Sequence, residues 1–193
     1  MKLYNDAINI CLTTIGESPV PSTTSIVGHY EAELAETIIG EAKTEVLAEG
    51  FQFNTDDDWT LVPDTAGYIT IPADVISIDG TSRGDDLIER AGKLYDKARN
   101  SYIFTTPQAL SIVWDMTFDT LPIPMQSVVV ASAKLKLYTR VVGVDAMVTQ
   151  LERELQTTRS LMITEDLRSG DYSIFDETST TRVMSRGQNP SAL

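Results

Sequence analysis

The apolar residues of this chain change their spacing twice, and that limits what it can fold into. From residue 5 to 49 they recur at helical intervals. From 55 to 118 they alternate between turn signals, and from 122 to 168 the helical interval returns. Helices that bury one stripe, interrupted by strands that bury alternate residues, must share their apolar faces. The fold class is therefore α+β: an antiparallel bundle of about four helices, an inserted small antiparallel β unit and an extended C-terminal tail. Residues 1–54 and 119–170 are expected to make one discontinuous helical domain, 55–118 the β insert, and 171–193 the tail.

The first helix is expected over 5–15, where Ile8, Cys11, Leu12 and Ile15 share a face and Asn5 can cap the start. Gly16 suits a left-handed helix end, and Glu17-Ser18-Pro19-Val20-Pro21 is held extended by its prolines. A second helix over 29–49 carries Ala35, Ile38, Ile39, Ala42 and Val46 as its stripe. Its other faces hold Glu31, Glu33, Glu36, Glu41, Glu45 and Glu49, with Lys43 nearly alone against them. Gly50 ends it, and Phe51 and Phe53 are expected to tuck under its end.

Short strands are expected at 60–62, 68–71, 75–79, 87–90, 93–96, 102–104 and 109–115, separated by turn signals such as Pro72-Ala73-Asp74 and Ala91-Gly92. Pro122 and Pro124 then suit the start of a third helix to Val142, with Met125, Val128, Val129, Ser132, Leu135 and Thr139 at 3–4 spacing. Gly143 marks a break. A fourth helix over 145–168 places Met147 or Val148, Leu151, Leu155 and Met162 on one side. Residues 176–193 are rich in Ser, Thr, Asn and Gly, a composition that orders only against a partner.

Charge and cysteine count exclude several function classes. The formal net charge is −13 over 193 residues, so the chain is not built to grip nucleic acid by phosphate neutralisation. It could border DNA without holding it, since a wall that repels phosphate lets DNA slide; acidity that serves solubility alone explains the same number. The one cysteine, Cys11, lies on an apolar face and reads as a buried free thiol, consistent with folding in a reducing cytoplasm. No apolar run approaches a bilayer span, and the first residues do not read as a secretory signal.

Nothing in the sequence assembles an active site, a metal centre or a cofactor loop. His29, the one histidine, lacks a Gly-x-Ser-x-Gly elbow to serve, and His29-x-Glu31 lacks the Pro-Cys-x-x-Cys half of a zinc deaminase signature. It reads as a helix-start residue. Asp56-Asp57-Asp58 reads as a solvated turn rather than a cation site, because neighbouring extended side chains point apart. Phosphate-binding glycine loops are missing. Lys134, Lys136 and Arg140, with Arg153, Arg159 and Arg168, could meet the acidic second helix within or between subunits, or be ordinary solvated faces, the commoner outcome for a single charge.

Several segments in collinear order resemble the tail tubular protein A family of T7-like podoviruses. They are Ala7-Ile8-Asn9-Ile10-Cys11-Leu12, Ile15-Gly16-Glu17-Ser18-Pro19-Val20 and Gly50-Phe51-Gln52-Phe53-Asn54, where Phe51 replaces the usual Trp. Leu61-x-Pro63-Asp64, Ile71-Pro72-Ala73-Asp74, Lys93-Leu94-Tyr95-Asp96 and Phe118-x-x-Leu121-Pro122 continue the series, and Gly170-Asp171-Tyr172-Ser173 resembles the family's end. The resemblance implies a virion structural protein of the tail, made in the host cytoplasm. It implies a head-to-tail adaptor forming a twelvefold homo-oligomeric ring between the portal protein and a tail nozzle protein of the tail tubular protein B type. Genomic DNA would pass through without sequence-specific binding, and neither an enzyme, a cofactor, a metal nor a membrane is implied. Tyr172, Ile174, Phe175, Val183 and Met184 are the sizeable apolar groups of the C-terminal segment and the expected portal-binding anchors. The alternative reading is a tail-associated polysaccharide- or peptidoglycan-degrading enzyme; Asp56 with Glu49 is the one carboxylate pair it could use.

Overall fold

The computed structural model describes residues 3–81 and 86–169. It is α+β, with four helices and two small antiparallel sheets. The order is α1 (Tyr4–Thr14), α2 (Tyr30–Leu47), β1 (Thr55–Leu61), β2 (Val75–Gly80), β3 (Leu87–Arg90), β4 (Lys93–Asp96), β5 (Gln108–Trp114), α3 (Ile123–Val141) and α4 (Ala146–Ser169). Single 3-10 turns at Thr23–Ser25, Gln52–Asn54 and Phe118–Thr120 join them.

The first helix starts one residue before the expected place. Leu3 stands at its N-cap, and the Leu3 amide donates to the Asp6 carboxylate at 3.3 Å. Asn5 is not the cap; it lies inside the helix with its amide turned toward the Val20 carbonyl. Gly16 ends the helix at φ +87°, and the Glu17 amide reaches back to the Leu12 carbonyl at 3.0 Å. The proline-bound strap that follows is fastened by Asn9, whose amide donates to the Val20 carbonyl at 2.9 Å while its oxygen accepts from the Val20 amide at 2.8 Å. An Asn side chain here does what a neighbouring strand would do.

α3 is the centre of the helical part. It packs on α1, α2 and α4, so more than one face is buried. Met125, Val128 and Val129 are buried as expected. Gln126, Val130, Ala131, Ala133, Leu137 and Tyr138 are buried as well, while Ser132, Leu135 and Thr139 are only half-buried. A single stripe describes a helix with neighbours on one side, which α3 is not. Buried Gln126 donates to the Phe118 carbonyl at 3.2 Å, which satisfies its amide nitrogen.

The larger sheet has the order β1-β5-β2, and β3 pairs with β4. β1 begins at Thr55, not near residue 60, so Asp56-Asp57-Asp58 is not a turn between elements. It is a bulge inside a strand: three steps from Asp56 to Trp59 answer two from Ile112 to Leu110. The Asp58 backbone, at φ +60°, absorbs the extra residue. The expected strands at 68–71 and 102–104 do not form. The first makes one isolated bridge, Thr70 with Lys93, and beside the second only Ser101 bridges, to Asp96. Gly67 at φ +84° and Asn100 at φ +52° turn the chain beside them and, unlike Asp58 in its bulge, have no ladder running on past them. Gly67 also sits where a Cβ would lie 2.9 Å from Ile103 Cγ2. A second apolar cluster, with Ile69, Ile71, Leu87, Leu94, Phe104, Leu110 and Ile112 buried, fills the space between the sheets.

Two contacts tie the sheet to the helices. Lys43, the lone lysine of α2, donates to Asp115 at 2.6 Å and to the Met116 carbonyl at 2.9 Å, just beyond β5. Asn54, only 1% exposed, donates to the carbonyls of Leu47 and Trp114, each at 3.1 Å, and accepts from the Phe51 amide at 2.8 Å. One side chain thereby closes the end of α2, the following turn and the end of β5. Replacing Asn54 by Ala strands those buried backbone groups and is expected to lower stability by about 2–3 kcal/mol. Urea unfolding followed by far-UV circular dichroism measures the loss; an unchanged midpoint would show that water replaces the side chain.

Candidate assembly interface

Charges sort this surface into spent and unspent groups. The glutamates of the second half of α2, and Glu49 just past its end, face the basic residues of α3 and α4 within the subunit. Lys136 pairs with Glu45, Arg140 with Glu41 at 3.6 Å, and Arg159 forks onto both Glu49 oxygens at 2.6 Å. Lys134 meets Glu154 of α4. Three of the six expected cations, Lys136, Arg140 and Arg159, thus meet the acidic helix or the residues just past it inside one chain, while Lys134 and Arg168 pair with glutamates of α4. All are at least partly solvated, so each adds little to stability. Their larger effect is to leave the uncompensated acids elsewhere. Among the described residues, Glu31, Glu33 and Glu36 of early α2 and the Asp56–Asp58 bulge have no cationic partner.

The bulge carboxylates are not convergent. Asp56 accepts from the Trp114 indole N–H at 2.8 Å, and Asp57 accepts from the Ser111 hydroxyl at 2.8 Å. Glu49, the other half of the pair a degrading enzyme would need, is clasped by Arg159. His29 stands at the N-cap of α2, where its reading as a helix-start residue placed it. Cys11 is fully buried, and burial pushes its thiol up to about 12, partly countered by Lys134. Among the described residues no group of three or more His, Cys, Asp or Glu could hold a metal ion, and no helix is long and apolar enough to cross a membrane.

Apolar groups are exposed in two places on the last two helices. Val141, Val142 and Val144 stand out at the α3–α4 corner, Val144 at 85% exposure, and Leu161, Ile163 and Leu167 project from late α4. The corner is held by Asp145. Its carboxylate accepts from the Met147 amide at 2.8 Å, which caps α4, and from the Tyr138 hydroxyl at 2.8 Å, which pins the cap to α3. The Tyr138 bond, then the amides of Met147 and Val148, hold the Asp145 carboxyl below its usual range; the same bond, with burial, raises the Tyr138 phenol. The expected anchors Tyr172, Ile174, Phe175, Val183 and Met184 lie outside the described residues. The valine corner and its Asp145 cap escaped the sequence reading. Val141-Val142-Gly143-Val144-Asp145 was the signal: an apolar run at a helix break that no stripe absorbs, ending in a cap residue.

Clustered exposed apolar groups are a feature of proteins covered by other chains. The chain matches the model of the tail tubular protein family over residues 5–172. It is also similar to tail tubular protein A of Klebsiella phage KP34, with 28% identity over 181 residues, 94% of each chain. The chain belongs to the tail tubular protein family and is a structural protein of a phage virion tail.

Because the Asp145 pKa is depressed on folding, its stabilisation is complete above the ordinary carboxylate range and is lost as pH falls through its folded value. Asp145→Ala is therefore expected to lower the thermal midpoint at pH 7, with the gap to the parent closing in acid. Parallel melts from pH 7 to pH 3 test it; a gap that stays constant with pH would remove the carboxylate charge from the explanation.

Proposed function

We propose that this chain is the subunit of a head-to-tail adaptor, a twelvefold ring that joins the portal to the tail nozzle and surrounds the path of the ejected DNA. The observation that carries this reading is the family match, which runs collinearly through helices, β unit and late α4 rather than resting on one motif. In it the four helices act as one bundle formed by residues 1–54 and 119–170, which makes the ring body, and residues 55–118 face the nozzle. The uncompensated acids of early α2, Glu31, Glu33 and Glu36, border the DNA path, where a surface that repels phosphate keeps DNA mobile. Glu41, Glu45 and Glu49 are unsuited to that role, since cations of α3 and α4 already neutralise them.

The C-terminal segment docks on the portal in this reading. Tyr172, Ile174, Phe175, Val183 and Met184 are too scattered to build a core, and isolated anchors are how a segment without its own core gains affinity.

Mixing the purified chain with portal and imaging the product by electron microscopy tests the ring. Twelve copies seated on the portal are expected; no complex, or a complex of another symmetry, would overturn the reading. Deleting residues 171–193 is expected to leave the thermal midpoint little changed and to abolish or strongly weaken portal binding. A truncated chain that binds with unchanged affinity would move the portal contact onto the helices.

A further inference from the structure

The turn between β3 and β4 carries two cations that no described carboxylate neutralises. Its neighbours are paired, Lys97 with Asp86 at 2.9 Å and Arg99 with Asp96 at 3.6 Å. Arg90 and Lys93 lie over tyrosine rings instead. The Arg90 Cζ is 4.1 Å from the Tyr95 centroid, and the Lys93 Nζ is 3.9 Å from the Tyr68 centroid. With Ala91 and Tyr102 they line an open concavity of about 410 Å³. A ring face positions a cation and stiffens its stem but does not cancel its charge, so the site stays ready for an anion.

The acids that could fill it lie on the other sheet of the β unit. β1 is one edge of the three-stranded sheet; β2 is the other, and β3 packs beside β2. The exposed carboxylates of Asp57 and Asp58 project from the bulge of an edge strand, and the cations stand at the turn of the second sheet, so the unit carries its free acids and its free cations on different sheets. A ring of identical subunits needs a heterologous contact, in which one patch meets a different patch on the next copy. Copies that each carry a net charge of −13 repel unless opposite charges are brought together locally.

We propose that copies of this chain associate head to tail through this polarity, the Asp57 and Asp58 carboxylates of one copy seating in the Arg90–Lys93 tyrosine concavity of the next. The choice of a second copy as occupant rests on the ring reading; the charge complementarity is a property of the single chain.

Site-directed cross-linking of the full-length chain tests it. Thr60→Cys and Ala91→Cys place thiols beside the two patches and keep all four charged groups, while buried Cys11 stays silent. With a short bifunctional maleimide at low salt, the two single variants should cross-link only when mixed. The double variant T60C/A91C should give a ladder of oligomers. Adding Arg90→Glu and Lys93→Glu should abolish the ladder, and mixing that A91C/R90E/K93E chain with T60C/D57K/D58K should restore the covalent dimer. A double variant without a ladder, or a ladder indifferent to the charge reversals, would overturn the contact. If portal-bound rings form but no ladder appears, this contact is wrong and the ring reading stands. If the ladder forms but the chain does not engage portal, the ring reading fails and the contact stands.

Discussion

Asn54 is the point on which the two halves of this structure depend. The helices and the sheets have separate apolar clusters, which meet where Ile76 of β2 packs against the helical one. What fixes their orientation is polar: a buried amide that bonds the last turn of α2, the turn after it and the last residue of β5. Hydrogen bonds are directional where apolar contact is not, so a buried Asn fixes an orientation that packing alone would leave loose. Lys43 repeats the device nearby, reaching from α2 to Asp115 and the Met116 carbonyl.

With that junction set, the chain's charges fall into place. α3 stands between α2 and α4, and its cations are shared between their glutamates, Lys136 and Arg140 toward α2 and Lys134 toward α4. An acidic helix is thereby neutralised along its second half and left acidic along its first. The surplus of negative charge is thus spread unevenly over the surface. In a tail protein that distinction matters more than the total, because an assembly is governed by which charges remain after folding.

The β unit shows how small conformational details redirect function. One extra residue in β1 turns an acidic triplet from a turn into a bulge, and the bulge aims Asp56 at the Trp114 indole and Asp57 at Ser111. These bonds hold the strand edge and keep the carboxylates apart. Left-handed Gly67 and Asn100 stop two short segments from extending the sheet, and Tyr68 and Tyr102, which flank those stops, line the cationic concavity. The irregular parts of the sheet supply its surface features, while its regular parts supply the core.

Periodicity alone determined the α+β class, the four helices to within about two residues of their ends, the burial of Cys11 and the tucked Phe51 and Phe53, because local spacing decides which side of an element is apolar. Motif order alone determined the family, through segments such as Ile15-Gly16-Glu17-Ser18-Pro19-Val20. Tertiary structure decided what depends on a second element. It made α3 buried on several faces, gave Lys43 its partner across the junction, and turned Asp56–Asp58 into a bulge against β5. It also set Arg90 and Lys93 over tyrosines rather than beside carboxylates. Each of these joins residues far apart in the chain, and a local pattern carries no information about which distant groups the fold brings within bonding distance.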